Sequence, residues 1–103
     1  MKFKRLFSLL GVVVLASPTL ANEELMGKKG CVSCHRIEQK LVGPGFKQVA
    51  AKYKKDPDAE AYLLEKVREG GEGVWGDMPM PPNSPEKISD ADLKILIDWI
   101  LQL

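Results

Sequence analysis

Five consecutive residues, Cys31-Val32-Ser33-Cys34-His35, constrain this chain more than anything else in it. Two thiols three residues apart lie on one side of a helical turn. Both can then form thioethers with the vinyl groups of a single haem. The next residue, His35, falls where an imidazole nitrogen can meet the iron. A C-x-x-C-H run therefore reads as a covalent haem attachment site. The competing readings are weaker. A bare C-x-x-C also fits a thioredoxin-like redox pair or half of a zinc site. The chain, however, has two cysteines and one histidine in all, too few for a four-ligand Cys/His zinc site. A structural disulfide needs a tight loop and leaves His35 unexplained.

The first 21 residues read as a segment apart from the fold. Lys2, Lys4 and Arg5 make a basic start, Leu6 to Ala16 is uncharged, and Ser17-Pro18-Thr19-Leu20-Ala21 ends in a small residue. That pattern is a secretory signal peptide, with cleavage expected after Ala21. Its apolar run is short for a bilayer span, so an uncleaved membrane anchor is the lesser alternative. Export agrees with haem attachment, because thioethers are made outside the cytoplasmic membrane on reduced cysteines. The expected location is the periplasm, with no stable membrane insertion.

Residues 22–103 then form one small domain whose own apolar core would be marginal; a haem at its centre supplies the missing apolar area. The formal net charge of the whole chain is +1, and three of its cations lie in the leader. What remains is slightly acidic, so nucleic acid is not an expected partner.

Along this domain the apolar spacing is helical throughout. Asn22-Glu23-Glu24 is expected to start a short helix that Lys28, Lys29 and Gly30 end, with Leu25 and Met26 facing the core. Gly43-Pro44-Gly45 reads as a rigid loop with two permissive hinges. Phe46, Val49, Ala50 and Tyr53 mark a second helix. Asp56-Pro57 reads as an N-cap and first helical residue for a helix running to about Glu69, with Ala59, Leu63, Leu64 and Val67 on one stripe. Gly70-Gly71 stops it. Residues 70–87 form a glycine- and proline-rich loop, long enough to suggest a function. Ser89 caps the last helix, with Asp92 completing a capping-box variant, and Leu93, Leu96, Ile97 and Ile100 make its apolar face. No strand is expected. The fold class is all-α, about four helices around one haem.

What fills the second axial position separates a carrier from a sensor or an enzyme. Met26 is too close to Cys31 to reach the opposite face and is assigned to the core. Met78 and Met80 lie in Asp77-Met78-Pro79-Met80-Pro81-Pro82. Prolines on both sides of Met80 hold its backbone extended, so Met80 is the favoured ligand and Met78 the alternative. Methionine with histidine raises the haem potential.

Gly30-Cys31-Val32-Ser33-Cys34-His35, Val42-Gly43-Pro44, Gly73-Val74-Trp75-Gly76, Pro79-Met80-Pro81-Pro82-Asn83 and Asp98-Trp99-Ile100-Leu101 together resemble the small bacterial class I cytochromes c, specifically the cytochrome c-551 (c8) group. The resemblance spans residues 22–103. It implies His35 and Met80 as the axial pair of one haem c, attached through Cys31 and Cys34. It further implies a proximal imidazole bonded to the Pro44 carbonyl, Asn83 near the methionine sulfur, and Trp75 and Lys66 near the propionates. Lysine there lacks the arginine fork. Trp99 is expected in the core. Lys28, Lys29, Lys40, Lys47, Lys54 and Lys55 read either as a docking surface or as a solvated face.

The expected function is one-electron transfer without a bound substrate, hence not an enzyme. The alternative is an open-coordination haem protein, a gas sensor or peroxidase-like enzyme, for which no second histidine is available. Expected partners dock transiently: a bc-type complex or another cytochrome as donor, and an oxidase, nitrite reductase or cytochrome peroxidase as acceptor. A monomer is expected.

Overall fold

The computed structural model describes residue 11 and residues 18–103, so nearly all of the leader lies outside the described residues. Among the described residues there are four α-helices and no strand. They are α1 (Pro18–Lys28), α2 (Phe46–Tyr53), α3 (Ala59–Glu69) and α4 (Asp90–Leu101), with a 3-10 turn over Cys31–Ser33. None of these helices is long and apolar enough to cross a membrane.

Helix α4 is the hub. It packs against α1, α2 and α3. Leu93, Leu96, Ile97, Trp99 and Ile100 are all buried along its length. Burying one such side chain contributes roughly 1.5–3 kcal/mol, so α4 holds much of the apolar stabilisation. Met26 of α1, Phe46, Val49 and Tyr53 of α2 and Ala59 of α3 join Leu96, Trp99 and Ile100 in one cluster, while Ile88, Leu93 and Ile97 form a second. Trp99 meets Phe46 edge-on at 6.4 Å between ring centroids, so it is a core residue.

The helix starts depart from expectation in two places. Helix α1 begins at Pro18, four residues ahead of Asn22. Proline is favoured in the first helical position, and Leu20 and Ala21 continue the helix without a break. Glu24 consequently sits inside α1 and pairs with Lys28 at 3.3 Å on an exposed face. Helix α3 begins at Ala59 rather than at Pro57, with Asp58 before it. The Asp56 carboxylate accepts from Asp58 N at 2.9 Å, and its carbonyl accepts from Ala59 N at 3.2 Å. That local turn uses Asp56 before the helix can.

Helix α2 spans the expected residues and buries Phe46, Val49, Ala50 and Tyr53. Ser89 caps α4, its Oγ accepting from Asp92 N at 3.2 Å. The reciprocal half of the capping box is not made, and the Asp92 carboxylate instead lies 3.7 Å from Lys29.

Candidate haem pocket

The attachment motif is placed by a turn at the end of α1. Lys29 N bonds Leu25 O at 3.0 Å and Gly30 N bonds Gly27 O at 3.1 Å. Gly30 then takes φ 80°, a left-handed value that glycine adopts at little cost. The chain turns directly into Cys31. His35 N bonds Cys31 O at 3.0 Å, while Val42 N and Gly43 N both bond Cys34 O, at 3.1 and 2.8 Å. Both cysteines are unpaired and partly buried. Burial pushes the Cys31 thiol above its usual range, with Lys87 acting the other way. It therefore stays neutral in an apolar wall.

Three neighbours define the His35 ring. Nδ1 lies 2.8 Å from the Pro44 carbonyl. A carbonyl only accepts, so Nδ1 carries the proton and Nε2 keeps its lone pair for a metal. Phe46 stacks on the ring at 5.0 Å with planes 20° apart. Gly43 closes on it from its own side. A Cβ there would stand 2.5 Å from His35 Cε1, 2.9 Å from Nδ1 and 3.1 Å from Nε2. Neither Gly43 nor Gly45 has a positive φ, which corrects the reading of this pair as conformational hinges. Gly43 is glycine because the imidazole occupies the space of a side chain.

The proline-rich loop lines the same cavity as His35. Gly70 ends α3 at φ 73° and ψ −171°, a combination essentially confined to glycine. A Cβ at Gly70 would collide with the backbone carbonyl of Met80. Gly71 and Met80 then exchange two bonds, Gly71 N to Met80 O at 3.1 Å and Met80 N to Gly71 O at 2.8 Å. Proline has no N–H, so Met80 N is the only backbone donor in residues 79–82, and it is used. Met80 is half-buried, while Met78 is 67% exposed.

The attachment segment and the loop line one cavity of about 250 Å³, to which Cys31, Cys34, His35, Trp75 and Met80 contribute together with aliphatic side chains of α3 and α4. The donor set fits a haem. It offers two free thiols at attachment spacing, one imidazole with a defined free nitrogen and a thioether sulfur, in an apolar enclosure.

The remaining predicted residues sit around this cavity. Trp75 lines it at 38% exposure, with Lys52 Nζ 5.7 Å from its ring. Lys66 lines it too, with Nζ 5.5 Å from the Tyr62 ring. Asn83 is 7% exposed, and its Nδ2 donates to Val67 O at 3.2 Å and Pro81 O at 3.1 Å. Both amide donations go to backbone carbonyls, one of α3 and one of the loop that carries Met80. Of the six lysines considered for docking, only Lys29 reaches the cavity. Lys28, Lys29 and Lys47 are matched to Glu24, Asp92 and Glu38. Lys87 also lines the cavity, and nothing in its local spacing marks it in the sequence.

Fold and site together describe a small all-helical haem-binding module. The chain belongs to the cytochrome c family, whose model, described as "Cytochrome c", matches residues 21–103. It is 47% identical over 97 residues to cytochrome c-552 of Hydrogenobacter thermophilus, covering 94% of this chain and 96% of that protein. It is likewise 47% identical over 79 residues to cytochrome c-551 of Pseudomonas aeruginosa, covering 77% and 73%. The crystal structure of Nitrosomonas europaea cytochrome c552 superimposes with a TM-score of 0.74 at 51% identity, covering 79% of this chain and 98% of that one. This is thus a small class I cytochrome c, an electron-transfer protein rather than an enzyme, with one covalent c-type haem.

Proposed function

We propose that the chain is exported, loses residues 1–21 and works in the periplasm as a one-electron shuttle, with residues 22–103 as a single domain. In this reading Cys31 and Cys34 hold the haem through thioethers, and His35 and Met80 are the axial pair. The haem, when bound, supplies one-electron exchange at its iron. The protein's part is to hold both ligands still, keep water out and leave one edge open to a partner. The observation that carries this reading is the 2.8 Å contact between His35 Nδ1 and the Pro44 carbonyl. It commits one ring nitrogen and leaves the other for the metal, in a cavity that Met80 also lines. Methionine sulfur is neutral and soft, which favours the reduced state.

Trp75 and Lys66, which both line the cavity, are assigned to the propionates. Asn83 is assigned to the backbone that presents Met80 rather than to its sulfur. Electron delivery from a bc-type complex or another cytochrome to an oxidase, nitrite reductase or cytochrome peroxidase suits such a shuttle. Docking through a small transient interface keeps turnover fast. Lys66 and Lys87 line the cavity, and Lys52 lies against the Trp75 ring; these cations are assigned to steering an acidic partner. Association should then slow as salt rises.

The axial assignment is tested on the purified haem protein. Met80→Ala is expected to remove the sulfur-to-iron absorption band of the oxidised form and to open the iron to carbon monoxide or cyanide. Met78→Ala is expected to leave both unchanged. The reverse outcome would transfer the role to Met78. Rapid ligand binding by the unaltered protein would favour a gas sensor.

A further inference from the structure

The loop that carries Met80 is tied to both α3 and α4 by one guanidinium. Arg68, in the last turn of α3, has a side chain only 19% exposed. Its Nη1 donates to the Asn83 carbonyl at 3.3 Å and its Nη2 to Asp90 Oδ1 at 2.6 Å. Asn83 is heavily engaged already. Its backbone N donates to Val67 O at 3.0 Å, and its amide donates to Val67 O and Pro81 O. Its backbone carbonyl is the acceptor that Arg68 takes.

The spacing along the chain gives this bond its reach. Residues 79–82 have one backbone donor, Met80 N, pinned to Gly71. The next fixed point is Asn83. Between the two stand Pro81 and Pro82, whose φ is locked near −65°. A stiff spacer passes displacement at one end to the other, so the position of Asn83 sets that of Met80. A charged donor suits the task, because a charge-assisted bond is roughly twice as strong as a neutral one. Asp90 is almost fully exposed. It orients the fork while remaining solvated.

We propose that Arg68 is the positioning residue for Met80, acting through the Asn83 carbonyl to hold the thioether at its place in the cavity wall, with Asp90 orienting the guanidinium. This rests on the reading of Met80 as axial ligand. The fork is specific to arginine, since a lysine at 68 presents a single ammonium and cannot span both acceptors.

The experiment measures cyanide binding to the oxidised haem protein, with the sulfur-to-iron band and the guanidinium unfolding midpoint recorded on the same variants. Arg68→Gln should speed cyanide binding about tenfold, the factor that loss of one hydrogen bond to a charged group supports, and should weaken the band. Arg68→Lys should fall between it and the unaltered protein. Asp90→Asn should give a smaller rise, and it decides the matter by the same readout if Arg68→Gln fails to fold. Unchanged cyanide rates in Arg68→Gln and Asp90→Asn, with Met80→Ala wide open, would overturn the role of Arg68 alone. A rise no greater than the lost global stability accounts for would also overturn it, because the residue would then be only structural. A closed iron in Met80→Ala would instead remove the axial assignment beneath it.

Discussion

The two walls of the pocket are built on different principles. The His35 wall is local. Cys31, Cys34, His35, Gly43, Pro44 and Phe46 fall within one short stretch, and the imidazole is fixed by a stacked ring, a carbonyl and a glycine that gives it room. The Met80 wall is assembled over distance. Its methionine is held by Gly71, by the collision-free surface of Gly70 and by an Asn83 that α3 grips through Val67 and Arg68. A ligand held by near neighbours survives loosening elsewhere in the molecule. A ligand held by remote ones is lost when any of several packing contacts gives way. With His35 and Met80 as the proposed axial pair, the His35 side is expected to be the durable half and the methionine side the one where opening begins.

The largest test of that contrast is Gly70→Ala. The new methyl group meets a positive φ and a backbone carbonyl together, and neither can turn aside. A loss of about 3 kcal/mol or more in unfolding free energy is expected, with the sulfur-to-iron band lost along with it. An alanine that left the band intact would mean that the loop accommodates more than its geometry suggests. Gly43→Ala is the matched change on the other wall. There the obstacle is one side-chain ring rather than backbone, and the ring must be displaced to clear a contact of 2.5 Å, so a smaller loss of about 1–3 kcal/mol is expected. Its signature is a displaced imidazole and a strained bond to Pro44, read as a changed reduction potential and shifted His35 ring resonances. A greater loss from Gly43→Ala than from Gly70→Ala would reverse the ranking of the two halves.

The smallest effect concerns a contact that joins them. Tyr53 of α2 and Tyr62 of α3 lie 5.3 Å apart at their ring centroids. Burial, with the neighbouring Tyr62 and Asp56, pushes the Tyr53 phenol up to about 12. An unfolded tyrosine ionises near 10. The folded state therefore favours the neutral form, and that contribution is complete below pH 10 and lost as pH rises toward 12. The unfolding midpoint should fall through that window, and Tyr53→Phe should flatten the fall. An unaltered slope in the variant would place the titration elsewhere.

What could be read from the sequence follows the same division. The attachment motif, the Phe46–Tyr53 stripe and the Ser89 cap depend on residues close in the chain, and their pattern survives in one dimension. The start of α3 misled because Asp56 spends its carboxylate on the turn before it, and Asp is equally suited to either use. Gly43 was visible as a glycine, but its reason lay eight residues back in the ring it faces. Gly70 was legible as a helix stop, yet its closeness to Met80 was not. Arg68 carried no signal at all. An exposed cation in a helix's last turn and one that clasps a carbonyl fifteen residues away look alike until the chain is folded.

The proline run around Met80 has one more consequence. Pro79, Pro81 and Pro82 carry no amide hydrogen, so that stretch has a single exchangeable amide hydrogen, on Met80 itself, sheltered by the Gly71 carbonyl. Its replacement by deuterium counts the moments at which the strap lifts. One resonance, followed over time, becomes a clock for the lifting of the loop that carries Met80.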